Sequence, residues 1–483
     1  MAYADDIKPI RNRMRRFAYP SVLQQLSAYI HYASTVDPRK PYEPTMPWLG
    51  ERLALWVLRD DARLYGSKPM QRADLLACLN QAWTGMDSAF PILRPGVPLH
   101  LSIRAMLLAQ IPHQKGQEMG PFGRQIDLLN RLDPNSHLYQ VFATSLGMSP
   151  MDYLAMSVLF RFNSLNNMGR AMSSSYRNSL NGVFGEASVR QFFASLVVPR
   201  EKTAFVMREI SADEWLQPNL LYRSPFTEYE GRWYFWGRCG LDRHLEFALS
   251  DTVGASQDQQ ARALFETLFE AYVGRALGRM DAQLLKEDEV RQRFNVEDGC
   301  GDYAVVASDS VVLLEVKNKA LAHTIPAFAS VRTFRSKLKA TLLKGAEQLR
   351  NTSRFVRNHV PHAVVFRVVV TYGDFLVGET DYLFDESADN VRAEDPVFVM
   401  SVDDLDRLIE AVRLGQCTFA SFFEDFSRRR LEPTDRLFSL SQLLNMKPYR
   451  LTQQPKHVVD TYTPFLEGML ERVQAADLAA NNV

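Results

Sequence analysis

The stretch GDYAVVASDSVVLLEVKNK, residues 301–319, restricts the fold more than any other part of the chain. Two runs rich in valine and leucine flank a polar turn at Asp309-Ser310, the pattern of two paired strands. Successive side chains of a strand face opposite sides of its sheet. Val312, Leu314 and Val316 therefore share one face, and Glu315 and Lys317 the other. Folding the hairpin brings Asp302, at the start of the first strand, beside Glu315 and Lys317 at the end of the second. Two acids and a base thus meet on a strand too apolar to be a freely solvated edge.

Two carboxylates held a few ångströms apart repel, and a divalent cation relieves the repulsion. Hard oxygen ligands favour Mg²⁺, or Mn²⁺, and Mg²⁺ takes one or two carboxylates while keeping waters. Asp302 and Glu315 are the expected metal ligands, with the Val316 backbone carbonyl as a third. Such a centre suits phosphodiester hydrolysis, with Lys317 orienting the nucleophile or holding the scissile phosphate. The alternative is a surface ion pair between Glu315 and Lys317, worth under about 1 kcal/mol.

The neighbouring elements add to this pattern. From about residue 258 the order reads helix (QQARALFETLFEAYVGRALG), two strands, helix (roughly 333–358) and strand (AVVFRVVVTYG). A further strand and helix follow in PVFVMSVDDLDRLIEAVR, and this mixed order specifies α/β. With GDYAVV supplying an acid and LLEVKNK an E-x-K, residues 258–375 resemble the PD-(D/E)XK, or restriction-endonuclease-like, nucleases. The resemblance implies a catalytic acid on the upstream helix, in the phrase Phe269-Glu270-Ala271-Tyr272-Val273, with Glu266 one turn earlier as the competing choice. It also implies a helical glutamine, Gln348, and a first core strand within LLKEDEVRQRFNV. Two departures are visible. Gly301 stands where the family name has proline, and no tyrosine follows Gln348 by four residues, which leans towards an endonuclease.

The helix after the strands is basic. Arg335, Lys337, Lys339 and Lys344 are the expected nucleic-acid contacts, while Phe334, Leu338, Leu342 and Leu349 supply a buried side. Any such surface must be local, because Lys plus Arg and Asp plus Glu are both 56. Arg11 to Arg16 and Arg428 to Arg430 are weaker candidates.

The rest of the chain gives context. Residues 1–163 read as a helical domain in which prolines punctuate runs such as SVLQQLSAYIHYA, WLGERLALWVLRDDARLY, RADLLACLNQAW and HLSIRAMLLAQI. Pro150 is placed to begin a helix with Ser149 as its N-cap. Residues 164–185, rich in Asn, Ser and Gly, read as a polar linker. Residues 186–257 read as an accessory helix and a hairpin turning at Glu230-Gly231. Its aromatic run, Trp233 to Trp236, reads as strand packing, with base stacking as the alternative. The α/β domain then covers 258–420, and 421–483 form a helical tail.

Other chemistries find little support. The four cysteines are far apart, which argues against structural zinc and disulfides and suits a reducing cytoplasm. There is no apolar run near 18 residues, so no membrane association is expected. Walker A, G-x-G-x-x-G, H-E-x-x-H and G-x-S-x-G motifs are missing, and His323 reads as loop or core. The expectation is therefore an N-terminal all-α domain followed by a restriction-endonuclease-like α/β domain, a mixed sheet flanked by helices, with a helical tail. Its expected role is Mg²⁺-dependent cleavage of nucleic acid, DNA in preference to RNA, as in effectors of bacterial defence. A protein partner would act through the helical half, and a homodimer would suit cutting both strands. A non-catalytic scaffold is the competing class.

Overall fold

The two runs richest in β-branched residues, SVVLLEVK and VVFRVVVT, lie side by side at the centre of a sheet. The computed structural model describes residues 7–35, 46–89, 113, 119–200, 221, 224–319, 331–375, 396–432 and 439–481. The fold is mixed α/β. A small sheet holds β1 (Val197–Pro199), β2 (Phe226–Tyr229) and β3 (Arg232–Phe235). A five-stranded sheet holds β4 (Gln283–Lys286), β5 (Tyr303–Val306), β6 (Ser310–Lys317), β7 (Val364–Thr371) and β8 (Val397–Ser401), in that spatial order. Strands β4, β5 and β6 pair antiparallel; β6, β7 and β8 pair parallel.

Both faces of β6 are covered, as its apolar sequence requires. Val312, Leu314 and Val316 join Phe265, Phe269 and Val273 of the helix Gln259–Leu277 in the main core. Val311 and Leu313 pack under Leu338, Leu342 and Leu349 of the helical stretch that follows β6. That stretch runs Val331–Leu338, a π turn at Lys339–Leu343, then Lys344–His359. The β5–β6 turn falls slightly earlier than the sequence suggests: Ser310 is already the first residue of β6, and the Ala307 N–H donates to its carbonyl at 2.9 Å.

The expected first strand is present but short. β4 ends at Lys286, where Glu287, Asp288 and Glu289 open the helix Glu287–Phe294. Acids favour a helix N-terminus, and Glu289 accepts the Lys286 N–H at 2.8 Å.

The polar segment 164–185 does not behave as a linker. It forms the end of the helix Pro150–Asn166 and the helices Met168–Ala171 and Ser174–Phe184. Ala171, Leu180 and Phe184 are buried in the same core as the sheet, so packing overrides the weak helix propensity of Asn and Ser. Pro150 opens its helix as expected. Ser149 occupies the cap position, but its hydroxyl meets Tyr139 at 3.3 Å instead of the helix backbone.

The hairpin at Glu230-Gly231 is present, with φ values of 50° and 71°. Both residues are left-handed, as a two-residue turn matched to strand twist demands. Tyr234 and Trp236 pack with the N-terminal helices Lys8–Met14, Tyr19–Thr35, Pro47–Arg59 and Arg72–Ala89, while Phe226 and Phe235 enter the main core. The expected helix HLSIRAMLLAQI and His323 lie outside the described residues. No helix among the described residues is long and apolar enough to cross a membrane. The tail is helical, and Lys456–Asn481 packs on Gly120–Asn130 and Ser174–Phe184.

Buried ion pairs join these layers. Arg124, 1% exposed, pairs with Asp403, and its guanidinium lies 5.5 Å from the Tyr372 ring and 5.9 Å from the Tyr272 ring. The Tyr272 hydroxyl donates to Asp406 at 2.8 Å, and His457 Nε2 meets the same carboxylate at 3.0 Å. Breaking a buried pair from one side leaves a charge without compensation. Arg124→Met should therefore lower stability by about 3–5 kcal/mol, read as a lower urea midpoint.

Candidate active site

The site is built by a ladder that stops early. Tyr303, the first residue of β5, pairs with Leu314, so β5 offers no backbone partner opposite Glu315 or beyond. The Val316 N–H donates instead to Asp302 Oδ2 at 2.6 Å. In a strand the N–H and C=O of one residue leave on the same side, so the Val316 carbonyl also faces this edge.

Glu315 points to the opposite side of the strand from Val316 and is 1% exposed. Lys317, two residues on, forms an ion pair with Glu315 Oε1. Glu315 Oε2 is buried without a hydrogen-bond partner. Gly345, at the start of the helix Lys344–His359, makes room for this pair. A Cβ there would lie 3.0 Å from Glu315 Cγ and 3.4 Å from Lys317 Cε.

Burial shapes the electrostatics. It pushes the Asp302 carboxyl up to about 7, with Glu270 adding to the rise and the Val316 N–H and Lys317 opposing it. Burial raises Glu315 to about 8, helped by the Asp302 charge and opposed by Lys317. Glu270 is raised by burial and by Glu287, against Lys317. Its charge is felt at Asp302, and Glu266, one turn earlier, is exposed. The Tyr303 hydroxyl donates to the Glu270 carbonyl at 3.1 Å, tying that helix to β5.

Glu287 belongs to the same field and was not singled out from sequence. Lys286 pairs with Tyr303 across β4 and β5, which sets Glu287 level with Asp302. Arg291 holds it in an ion pair at 2.6 Å. The only sequence signal was the acidic run Glu287-Asp288-Glu289, which reads equally as a helix start.

Gln348 is placed one step away. Its Nε2 donates to the Cys300 carbonyl at 3.3 Å, two residues before Asp302, and its Oε1 is buried without a partner. Thr352 occupies the position four residues later, and its hydroxyl accepts the Gly301 N–H at 3.0 Å. Lys337, Lys339 and Lys344 are exposed and Arg335 is half-buried on the adjoining helical stretch. Of the weaker basic candidates, Arg11 and Arg15 pair with Asp60, and Arg428 and Arg429 with Asp425.

Among the described residues, no three His, Cys, Asp or Glu side chains converge to form a complete metal cage. The Asp302–Glu315 pair with its unpartnered oxygen fits a hard cation that keeps waters, such as Mg²⁺ or Mn²⁺. No family model, curated protein or solved structure matches this chain.

A carboxyl raised in the folded state loses its proton later than in the unfolded chain, so folding weakens as pH rises between the two pKa values. In EDTA, the unfolding midpoint should fall as pH rises from about 4.5 towards about 8. Glu315→Gln should flatten this fall in thermal melts; an unchanged slope would exclude Glu315 as its source.

Proposed function

We propose that this chain is a metal-dependent nuclease of the restriction-endonuclease-like type, with DNA favoured over RNA. The observation that carries the reading is a carboxylate pair, half-buried Asp302 and buried Glu315 with one oxygen unpartnered, beside a lysine at the end of a central strand. Perturbed acids gathered around one charge partner are a mark of reactive sites. Asp302, Glu315 and the Val316 carbonyl would hold Mg²⁺ or Mn²⁺, which when bound supplies an acidified water and neutralises phosphoryl charge.

The chain's own groups divide the remaining work. Lys317, fixed by Glu315, donates an N–H to the attacking water or to a non-bridging phosphate oxygen. Glu270, with its pKa raised, accepts the proton that the water loses as its oxygen bonds to phosphorus and the P–O bond to the leaving group breaks. Asp302 anchors the strand edge through the Val316 N–H. Gln348 steadies the backbone leading into Asp302 through the Cys300 carbonyl. Lys337, Lys339 and Lys344 offer cations for the backbone of a bound strand. Defence effectors share the combination of a nuclease-like segment with a large helical part and no ATPase motif, and that is the biological setting we infer.

The test is incubation of purified protein with supercoiled plasmid and with single-stranded RNA, in Mg²⁺, Mn²⁺ or EDTA. Metal-dependent cutting should drop by about 10²-fold or more in Lys317→Ala and in Asp302→Ala. Cutting that survives both changes would rule out this site. Absence of cutting, together with no Mn²⁺ binding that depends on Asp302, would favour a scaffold.

A separate prediction concerns the basic helix. Replacing Lys337, Lys339 and Lys344 by Glu should weaken DNA binding on all sequences alike. The slope of log affinity against log salt should shrink by about 1 for each phosphate that is no longer neutralised. Filter binding over a salt series measures both.

A further inference from the structure

Trp233 is the member of the aromatic run that the core does not fully absorb. Tyr234, Phe235 and Trp236 are buried, and the Trp236 Nε1–H donates to Thr227 at 2.7 Å, whereas Trp233 is half-buried. It lines a cleft of about 550 Å³ between the helices Ser174–Phe184 and Glu186–Leu196 and the small sheet. This volume lies within the range of small-ligand sites.

One wall of the cleft is a polar helix face. Ser174, Arg177, Asn178 and Asn181 recur at three- and four-residue steps and all line it. The Arg177 guanidinium lies 4.3 Å from the Trp233 ring centroid and 4.9 Å from that of Phe193. Stacking on two rings fixes the plane of the guanidinium and leaves its in-plane N–H groups for other partners. Among the described residues none is provided: Arg177 Nε is buried without a hydrogen-bond partner, and no acid there pairs with Arg177. Two acids line the cleft: Glu186 lies 3.9 Å from Arg190, and Glu228 is exposed on β2 and makes no ion pair with Arg177. Burial accordingly lowers the Arg177 pKa with no counter-charge to restore it.

A preset guanidinium edge fits an oxyanion, and phosphate best, because two parallel N–H donors match two of its oxygens. The amides of Asn178 and Asn181 each carry donors and acceptors, which suits the edge of a heterocyclic base more than a second anion. Trp233, half-buried beside Arg177, offers an aromatic ring for a base to stack on. We propose that this cleft binds a nucleotide, its phosphate on Arg177 and its base against Trp233, Asn178 and Asn181. None of these residues belongs to the acidic site, so this binding stands or falls separately from nuclease activity.

The experiment is calorimetric titration of the full chain with AMP, GMP, CMP and UMP in EDTA, which removes any metal contribution from the acidic site. Adenosine and inorganic phosphate serve as the two half-ligands. At least one mononucleotide should bind with a Kd below about 1 mM, and about tenfold or more tighter than either half-ligand. Arg177→Met and Asn178→Leu should each weaken it about tenfold or more. Asn178 is exposed, so its variant should keep the parent unfolding midpoint and report on binding alone. The proposal is overturned if none of the four binds below about 5 mM, or if binding is unchanged in Asn178→Leu. Inorganic phosphate binding as tightly as the nucleotides, or an acidic peptide binding in their place, would overturn it equally.

Discussion

A fully buried arginine fastens the helical and sheet parts of this molecule together. Arg124 comes from the helix Gly120–Asn130, yet its charge is balanced by Asp403, which follows β8, and its face lies over tyrosines from two further elements. Taking such a charge out of water costs several kcal/mol unless partners are fixed in place. The layers must therefore meet in one arrangement. Asp406 extends the set to Tyr272 and His457, so the tail is held by the same group of charges. Arg275 pairs with Asp127 and repeats the link one helical turn beyond Tyr272. Glu270 lies on that helix, which means its position is set by the joint as much as by its own sequence.

The acidic site obeys the opposite rule. Asp302, Glu315, Glu270 and Glu287 feel one another's charge near one end of the sheet, with Lys317 beside Glu315 and Arg291 beside Glu287, and burial raises three of these acids. A sheet needing only stability would place valine or threonine there. Local conflict of this kind costs stability that the rest of the fold must supply. Gly345 leaves room for the arrangement, since any larger residue would press on the Glu315–Lys317 pair.

Much of the fold was legible because period and turn chemistry are local. The alternation in 310–317 placed Glu315 and Lys317 on one face, and the Glu230-Gly231 turn could be read from two residues. The linker reading failed at 164–185 because Asn and Ser are weak helix formers. The apolar spacing of Tyr176, Leu180 and Phe184 carries the helix only once a core exists to receive it. Glu287 escaped notice for a similar reason, since its place beside Asp302 depends on the register of β4 against β5.

The sequence by itself determined which residues alternate, which acids and base flank the central hairpin, and that strands and helices would mix. Those properties follow from side-chain spacing along a single strand or helix. Only the tertiary structure decided that Glu315 is buried, that Val316 donates to Asp302, and that the Glu270 charge is felt at Asp302. It also decided that Arg177 has stacking partners but no counter-charge among the described residues. Burial and charge environment are set by elements distant in the chain, and no local pattern encodes them.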